Sequence, residues 1–381
     1  MAKINVLIAY GGKSVEHDIS ILSALIIMNA LKESDKYHII PLYLTKNNEM
    51  ISFKNMYDIK SYEYKMDNGK QIFKNKSSKI ELFKKNSIVY SKTIGKCSHM
   101  AKIDLIYPIL HGSGVEDGTF KGWCDILGLK AVTSRIEAAT VFQDKELTKL
   151  VLKSLNVNVL PYEVIRMNSD TDISLQYPII IKPAHLGSSI GISVIEDSDK
   201  TIKSDELKEK LKLAFTYDDK VIIEPCLKNY KEYSVAAFSY KGDIKVSSIE
   251  EIKRTKSIYT FEDKYCDNAK SNTTSKRKII SIDEFEDGHK IALEIKKIYK
   301  ALDLTGIVRF DYLYDLDTNQ RYLCEVNTIP GSLAYYLFEK DYDIPTLFDI
   351  TIKDMIWREQ NKKRYIRTNI PISLLDMKTK K

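Results

Sequence analysis

A buried strand that leads through two glycines into a helix opens the chain. Residues 3–10 form an apolar run of strand length, Gly11-Gly12 follow, and apolar side chains recur with helical spacing from Ile19 to Leu31. Strand, glycine turn and helix in this order are typical of α/β domains, in which the helix packs back against a sheet. The chain is therefore expected to begin with an α/β domain.

The rest of the chain continues to alternate between strands and helices. Strands are predicted at 38–44, 103–110, 177–183, 192–195, 220–225, 232–240, 244–250, 306–314 and 321–327, and helices at 136–154, 284–303 and 344–363. Residues 48–100 are rich in lysine and tyrosine with weak periodicity, and we interpret them as a peripheral elaboration. Residues 253–277 are polar and irregular, and so long a segment inside a compact fold is typical of a functional loop or lid.

The composition is that of a globular protein with more than one domain. With 381 residues the chain is too long for one ordinary core, and 44% hydrophobic with 29% charged residues is a soluble balance. The longest apolar runs are too short to span a bilayer, and the N-terminus lacks the pattern of a secretory signal. We therefore expect a cytoplasmic protein with no membrane partner.

Cysteine spacing and charge argue against a disulfide framework, a zinc site and a nucleic-acid-binding arm. The five cysteines are scattered at Cys97, Cys124, Cys226, Cys266 and Cys324. None form a C-x-x-C pair and their number is odd, so neither a disulfide framework nor a zinc site is predicted. The net charge of +7 is spread along the chain, and its lysine-rich end, 378–381, suits a solvated tail better than a nucleic-acid-binding arm.

Two consecutive predicted strands carry polar side chains at matching positions. Arg309 and Asp311 lie two residues apart and therefore project from one face, and Glu325 and Asn327 repeat this spacing on the next strand. A tight turn between the strands would bring Asp311 near Glu325. Two carboxylates and an amide carbonyl are hard oxygen ligands that suit Mg²⁺, although an edge hairpin with a solvated face explains the same pattern. The ordered loop sequence at 327–331 favours a site.

Two loops at strand ends are candidates for ligand binding. Lys182 ends a strand and is followed by the small residues 187–191, which let backbone N–H groups approach phosphate oxygens, although a flexible turn has the same composition. Glu16 follows the first glycine turn, where it suits either a substrate ammonium or the first turn of a helix. His111, in a glycine-rich loop after another strand, is either a ligand group or a turn residue.

Eight segments in this order resemble the D-alanine–D-alanine ligases, members of the ATP-grasp superfamily. The similarity runs from Val6 to about residue 360. The segments that carry it are Gly11-Gly12-Lys13-Ser14-Val15-Glu16, His111-Gly112 with Glu116-Asp117-Gly118, Asp144-Lys145 with Lys149, Ile181-Lys182-Pro183 with Gly187-Ser188-Ser189-Ile190-Gly191, Glu224 with Glu232, Asp263-Lys264-Tyr265, Arg309-Phe310-Asp311, and Glu325-Val326-Asn327-Thr328-Ile329-Pro330-Gly331.

The resemblance implies a three-domain α/β ATP-grasp fold whose N-terminal domain has an open parallel sheet. The expected boundaries are 1–136 for the N-terminal substrate domain, 137–226 for the central subdomain, 227–364 for the C-terminal subdomain with the Mg²⁺ site, and 365–381 for a basic tail. ATP would lie between the central and C-terminal parts. A homodimer is expected on the same ground.

The resemblance also implies a role for each site residue. Lys145 and Lys182 would contact ATP phosphates, Lys264 would reach the γ-phosphate from the lid, and the adenine and ribose would lie at Glu224, Leu227 and Glu232. Two Mg²⁺ ions, or Mn²⁺ in their place, would be held by Asp311, Glu325 and Asn327. Glu16, with His111 nearby, would bind the first ammonium; Ser188 and Tyr265, hydrogen-bonded with Glu16, would orient the second amino acid; Arg309 and the Gly331 N–H would stabilise the oxyanion.

The reaction implied is ATP-dependent joining of two D-alanine molecules through an acyl phosphate, for a peptidoglycan precursor. Lysines and Mg²⁺ suit the charge on a transferring phosphoryl group, and the lid would exclude water from the acyl phosphate. The small-molecule partners are then D-amino acids and ATP.

One position departs from the family pattern. The usual family loop has a serine five residues beyond the glycine, which holds the second carboxylate, and this chain has Tyr336 there. Tyr336 either donates a similar hydrogen bond or narrows the pocket. Three alternatives remain. The chain could join D-alanine to D-serine, it could be another ATP-grasp carboxylate–amine ligase, or it could be a nucleotide-binding homologue without catalysis. The presence of Asp311, Glu325, Asn327, Arg309 and both phosphate-loop lysines opposes the last of these.

Overall fold

The computed structural model describes residues 3–361 apart from 86–87, 95–99, 113, 170–172, 197–199 and 253–276. Within these residues the N-terminal sheet has the order β8-β7-β6-β3-β2-β1-β9, and β4 pairs with β5 in a separate hairpin. The strands are β1 Ile4–Gly11, β2 Tyr37–Leu44, β3 Met50–Phe53, β4 Tyr64–Asp67, β5 Lys70–Phe73, β6 Ser77–Lys85, β7 Ile88–Ile94, β8 Met100–Ile103 and β9 Leu105–Pro108.

The N-terminal sheet is mixed rather than parallel throughout. Only β2, β1 and β9 pair in parallel with one another, while β3, β6, β7 and β8 add antiparallel strands at the β2 edge. The segment 48–100, interpreted as a peripheral elaboration, supplies β3, β6, β7 and the start of β8 to this edge, so part of it extends the same sheet while β4 and β5 form the separate hairpin. The weak periodicity has a physical reason: only one face of the outer strands is partly buried, at Ile80, Val89 and Ile103, while the other face is largely exposed, so few of their side chains need to be apolar.

Two antiparallel sheets follow along the chain. The four-stranded sheet has the order β10-β13-β11-β12 and the five-stranded sheet has the order β16-β15-β14-β17-β18. Their strands are β10 Glu163–Arg166, β11 Ile179–Pro183, β12 Ser193–Ile195, β13 Lys220–Pro225, β14 Tyr230–Tyr240, β15 Asp243–Ile252, β16 Lys278–Ile280, β17 Ile307–Asp315 and β18 Gln320–Asn327. The predicted hairpin around 241–243 and the predicted pair of strands before 327 are confirmed.

The described helices are α1 His17–Leu31, α2 Thr119–Leu127, α3 Ile136–Gln143, α4 Lys145–Ser154, α5 Lys200–Ala214, α6 Gly288–Ala301 and α7 Ile344–Asn361, with 3₁₀ turns at Ile59–Tyr62 and Gly331–Leu337. The predicted single helix over 136–154 is wrong, because Asp144 takes an extended conformation and caps α4. Its carboxylate accepts the N–H groups of Glu146 and Leu147, which is the usual role of aspartate at a helix N-cap. Helices α2 and α5 were not predicted.

The largest hydrophobic core joins the two ends of the chain. It contains apolar side chains of β1, α1 and β9 together with those of the 331–337 turn and of α7. Phe348 of α7 stacks on Tyr107 of β9, with ring centroids 4.6 Å apart.

The three sheets lie within 4–108, 163–225 and 230–327, and the predicted domain boundaries remain a prediction. The tail 365–381 lies outside the described residues. No helix among those described combines the length and hydropathy needed to cross a membrane.

Candidate functional site

A polar cavity of about 290 Å³ lies where the N-terminal sheet meets the two antiparallel sheets. Five segments converge on it: the start of α1, the loop after β9, the start of α4 with the 186–188 loop, the ends of β17 and β18, and the 331–336 turn. Of the residues singled out in the sequence, the cavity is lined by Glu16, His111, Lys145, Ser188, Arg309, Glu325, Asn327, Gly331 and Tyr336.

The pair of strands β17 and β18 places four polar residues in register. Arg309 lies opposite Asn327, and Asp311 lies opposite Glu325. Arg309 binds Asp311 with two nitrogens, since Nε lies 2.8 Å from Oδ1 and Nη2 lies 2.8 Å from Oδ2. Ser234 Oγ and Asn327 Nδ2 also donate to Asp311, at 2.6 and 2.8 Å. Asp311 is therefore held in a hydrogen-bonded cluster, whereas Glu325 and Asn327 line the cavity itself.

The oxygen donors of this cluster fit a hard divalent cation. Because the Asn327 amide nitrogen donates to Asp311, its carbonyl oxygen is left as an acceptor. Glu325 makes no hydrogen bond or ion pair with any residue in the described part of the chain, so its carboxylate is available on the cavity wall. Carboxylate and amide oxygens are the ligands that Mg²⁺ takes in proteins. Asp311 would have to exchange one of its present donors to join them.

Lys145 comes to the cavity because α4 begins beside the 186–188 loop. Its backbone N–H donates to Ala184 O at 3.0 Å and its Nζ donates to Leu186 O at 2.5 Å. Burial lowers the pKa of Lys145 from its usual value, and Glu325 partly offsets this. A lysine placed at the mouth of a loop of small residues supplies positive charge where phosphate oxygens would approach backbone N–H groups.

A buried ion triad lies between β11, β13 and α4. The two oxygens of Glu224 lie 2.6 Å from Lys149 Nζ and 2.6 Å from Lys182 Nζ. Burial by itself would raise the pKa of Glu224, but the two lysines outweigh it and lower the pKa to about 2. Burial lowers the pKa of Lys182, and Glu224 reverses this and raises it above its usual value. Glu224 and Lys182 are therefore charged at neutral pH, and the triad fixes the direction of the Lys182 side chain.

The first glycine turn and the 186–188 loop meet through one hydrogen bond. Ser188 Oγ donates to Glu16 Oε1, although the two residues are far apart in the sequence. The turn approaches the loop after β9 as well: Gly112 has a left-handed φ of +83°, and a side chain there would collide with Ser14 Oγ. Glycine at this position therefore allows the two strand ends to lie close together.

His111 presents an unprotonated nitrogen to the cavity. Its Nδ1 lies 2.9 Å from the carbonyl oxygen of Ile329, which can only accept, so Nδ1 carries the proton. Burial lowers the pKa of His111, with Glu16 opposing the shift, so the ring is neutral at pH 7. Nε2 is then an acceptor; it is buried and has no hydrogen-bond partner among the described residues.

Glu116 lines the same cavity, although it was noted only as part of a motif. It accepts the N–H of Gly112 at 2.6 Å. Burial, followed by repulsion from Glu16, raises its pKa to about 8. With this pKa the Glu116 carboxyl is mainly protonated at pH 7, so it is the carboxylate of Glu16 and the unprotonated nitrogen of His111 that suit a cation such as an ammonium group here.

Four of the residues predicted to bind ATP do not line this cavity. Lys182 and Glu224 lie in the buried triad, Leu227 lies between β13 and β14, and Glu232 is on β14 opposite Ile252 and Leu313. The predicted lid residues Lys264 and Tyr265 lie outside the described residues. Two residues with no role predicted from sequence also belong to the site: Lys149, which forms the triad, and Arg277, which lines the cavity.

Comparison with known proteins identifies the family of the chain. Residues 5–134 match the family model described as the N-terminus of D-ala D-ala ligase, and residues 151–343 match that of its C-terminus. A D-alanine–D-alanine ligase of Thermosipho melanesiensis is 33% identical over 378 residues, covering 96% of this chain and 98% of the relative. One from a Nitratiruptor species is 35% identical over 332 residues, covering 87% and 89%.

Solved structures confirm the expected fold. A D-alanine–D-alanine ligase from Helicobacter pylori aligns with a TM-score of 0.67 and 26% identity, over 92% of this chain and 98% of that one. The VanG D-Ala:D-Ser ligase from Enterococcus faecalis, at 22% identity, shares the fold with a TM-score of 0.72 over 93% of this chain and all of that one. Together with the two matched domains, these relatives show that the chain belongs to the D-alanine–D-alanine ligases, enzymes of the ATP-grasp fold.

Proposed function

We propose that the protein joins two D-alanine molecules with ATP and releases ADP, phosphate and D-alanyl-D-alanine for peptidoglycan synthesis. The observation that supports it most is the contact of Glu16 with Ser188, which brings a carboxylate suited to an ammonium group into the same cavity as the 186–188 loop and Arg309. A ligase of amino acids needs these three features next to each other, because the carboxylate that is phosphorylated belongs to the molecule whose ammonium is bound.

The donor amino acid is held first. Its ammonium lies between the carboxylate of Glu16 and His111 Nε2, which is an acceptor when Nδ1 donates to the Ile329 carbonyl. Its carboxylate points toward Arg309 and the end of β18. Lys145 and Lys182 hold the phosphates of ATP so that the γ-phosphoryl group faces this carboxylate, and positioning of this kind supplies much of the rate in phosphoryl transfer.

Two bond-forming steps follow. A carboxylate oxygen of the donor attacks the γ-phosphorus, the bond to the β-phosphate oxygen breaks, and an acyl phosphate and ADP result. The neutral amine of the acceptor then attacks the acyl carbon, the bond from that carbon to the phosphate oxygen breaks, and inorganic phosphate leaves and takes up the proton that the amine loses. The oxyanion formed between these events is stabilised by Arg309 and the Gly331 N–H, since fixed donors act strongly in a site shielded from water. At Gly331 an added methyl would meet nothing within 4 Å, so this backbone borders open space in the cavity.

Glu325, Asn327 and Asp311 would hold two Mg²⁺ ions. Bound there, the ions neutralise charge on the phosphate oxygens during transfer. We also propose that the enzyme works in the cytoplasm as a homodimer, as the resemblance implies; sedimentation velocity checks the assembly.

The test is phosphate release from ATP and Mg²⁺ with D-alanine, D-serine, D-lactate and L-alanine, singly and in pairs, with products identified by mass spectrometry. D-alanine alone is expected to give release and a dipeptide. Release only with a mixed pair would keep the mechanism and change the acceptor, and Tyr336 would be the first residue to examine. Release with none of the D-compounds would refute the substrate assignment.

A further inference from the structure

Arg277 lies at the wall of the cavity next to Tyr336. It immediately precedes β16, which pairs with β15 at the edge of the five-stranded sheet. Its side chain lines the same cavity as Tyr336 and as Arg309 and Gly331, which the proposed mechanism assigns to the oxyanion. Nothing in the proposed mechanism uses this arginine.

Two contacts fix the plane of the Arg277 guanidinium. Its central carbon lies 3.8 Å from the centroid of the Tyr336 ring, close enough for a cation–π stack. Its Nη1 lies 3.1 Å from an oxygen of Glu250, whose side chain is only 11% exposed. An arginine that is stacked on one face and held at one nitrogen is already restricted, so it loses little more conformational freedom when it binds a second group.

The charges in the cavity leave one cation for the acceptor. A free amino acid brings a carboxylate, and burying that carboxylate without a partner would be costly. Among the described residues that line the cavity, the lysine and arginine side chains are those of Lys145, Arg277 and Arg309. Arg309 is bound with two nitrogens by Asp311 and is already assigned to the oxyanion, and Lys145 lies at the phosphate loop. A guanidinium has five N–H donors, so the contact with Glu250 leaves others for a second carboxylate.

We infer that Arg277 binds the α-carboxylate of the acceptor amino acid and that Tyr336 is the platform that holds the guanidinium in place. This rests on the proposed function. It explains how a loop with tyrosine instead of the serine usual in the family accommodates a carboxylate: the ring does not replace the serine hydroxyl but positions an arginine that does. Arg277 and Tyr336 then make a free carboxylate a requirement for the acceptor, and an amide of the same amino acid is disfavoured.

The test compares D-alanine with D-alaninamide, which has the same amine but no carboxylate. Rates as a function of D-alanine concentration separate the donor KM from the acceptor KM, and dipeptide amide is followed by mass spectrometry. Arg277→Ala is expected to raise the acceptor KM for D-alanine about 10- to 100-fold, as loss of a charge-assisted hydrogen bond does, while the KM for ATP and for the donor stays within about twofold. The rate of dipeptide amide formation from D-alaninamide should hardly change. The variant should therefore lose the preference of the enzyme for D-alanine over D-alaninamide as the acceptor.

Two further variants complete the experiment. Lys278→Ala is the matched control, because this neighbouring cation pairs with Glu251 on the surface, and its kinetics should equal those of the unaltered enzyme. Glu250→Gln keeps Arg277 but weakens its anchor, and a several-fold rise in the acceptor KM is expected even if Arg277→Ala is poorly folded by circular dichroism.

Three results would overturn the assignment of Arg277: an unchanged acceptor KM, an equal loss with D-alanine and D-alaninamide, or a rise in the KM for ATP as large as that for the acceptor. The proposed function fails in a different way, namely when the unaltered enzyme forms no dipeptide from D-alanine. The two failures are therefore distinguishable in one set of assays.

Discussion

At the scale of single residues, the site separates groups that touch the cavity from groups that hold those groups in place. Glu325 and Asn327 line the cavity, whereas Asp311 is bound by Arg309, Ser234 and Asn327. Spacing along two strands predicted that Asp311 and Glu325 would face each other, and they do. Spacing gave no sign that Asp311 would be occupied by an arginine, because that depends on side-chain conformation.

Glu325→Gln is expected to lower kcat for ADP formation by about 100-fold or more, since an amide lacks the charge that holds Mg²⁺ against a phosphate. The Mg²⁺ concentration at half-maximal rate should rise at the same time. Phosphate release and far-UV circular dichroism measure activity and folding together. Glu339→Gln, on the surface after the 331–337 turn, is the control. Near-normal turnover in a folded Glu325→Gln variant would remove this residue from the metal site.

At the scale of elements, single serine side chains of α1 connect this helix to the loops that carry the site residues. Ser20 of α1 accepts the N–H of Gly11 at 2.8 Å and donates to the carbonyl of Ile109 at 2.5 Å, and so joins the ends of β1 and β9. Ser23, one turn further, accepts the N–H of Ser332 at 2.9 Å. One helix thus positions Glu16 at its start, the loop of His111 and the oxyanion turn.

Ser20→Ala is expected to cost about 1–3 kcal/mol of unfolding free energy, because it leaves a buried N–H and a buried C=O without partners. Urea denaturation measures the loss. Ser154→Ala, at an exposed helix end, should change stability by less than about 0.5 kcal/mol. A loss for Ser20→Ala no greater than that of this control would contradict a linking role for Ser20.

The loop after β11 is fastened by a histidine between two carboxylates. His185 Nδ1 lies 2.9 Å from Asp218 Oδ1, and Nε2 lies 3.4 Å from Asp144 Oδ2, close to Lys220. Asp144, then Asp218, raise the pKa of His185 to about 9 against the effect of burial. Because the pKa is higher in the folded state, the charged pair stabilises the fold fully below pH 6.5 and its contribution is lost as the pH rises through about 9.

The His185→Asn variant is therefore expected to have a lower free energy of unfolding than the unaltered protein at pH 6. At pH 10 the two free energies should be equal. The loss at pH 6 should be under about 1 kcal/mol, since the His185 side chain is 41% exposed and solvent screens the pair. Urea denaturation at pH 6, 8 and 10 gives the profile, with His289→Asn, on an exposed helix start, as control. A difference that stays constant from pH 6 to pH 10 would show that the ion pair is not its cause.

At the scale of the whole molecule, the N-terminal sheet and the last described helix share one core, so they are expected to unfold together. Phe348 stacks on Tyr107 and meets Tyr37 edge-on at 5.5 Å. Phe348→Ala should cost about 3–5 kcal/mol through the cavity it leaves. Variants that keep only Trp123, on α2, or only Trp357, on α7, report the two parts by fluorescence.

Both tryptophans should show the same shift in the unfolding midpoint when Phe348 is replaced. Leu293→Ala, at a side chain that is 69% exposed on α6, is the control and should leave both midpoints nearly unchanged. A shift seen by Trp357 alone would mean that the helix unfolds separately from the N-terminal sheet.

The sequence by itself determined the order of most strands and helices, the motifs of the family and the facing pairs on β17 and β18, because periodicity and strand spacing are local properties of the chain. Tertiary structure alone decided the break at Asp144, the extension of the first sheet by residues 48–100, the Glu224 triad, the tautomer of His111 and the position of Arg277 on Tyr336. Each of these depends on which distant side chains become neighbours, and burial and charge act on a group only through those neighbours.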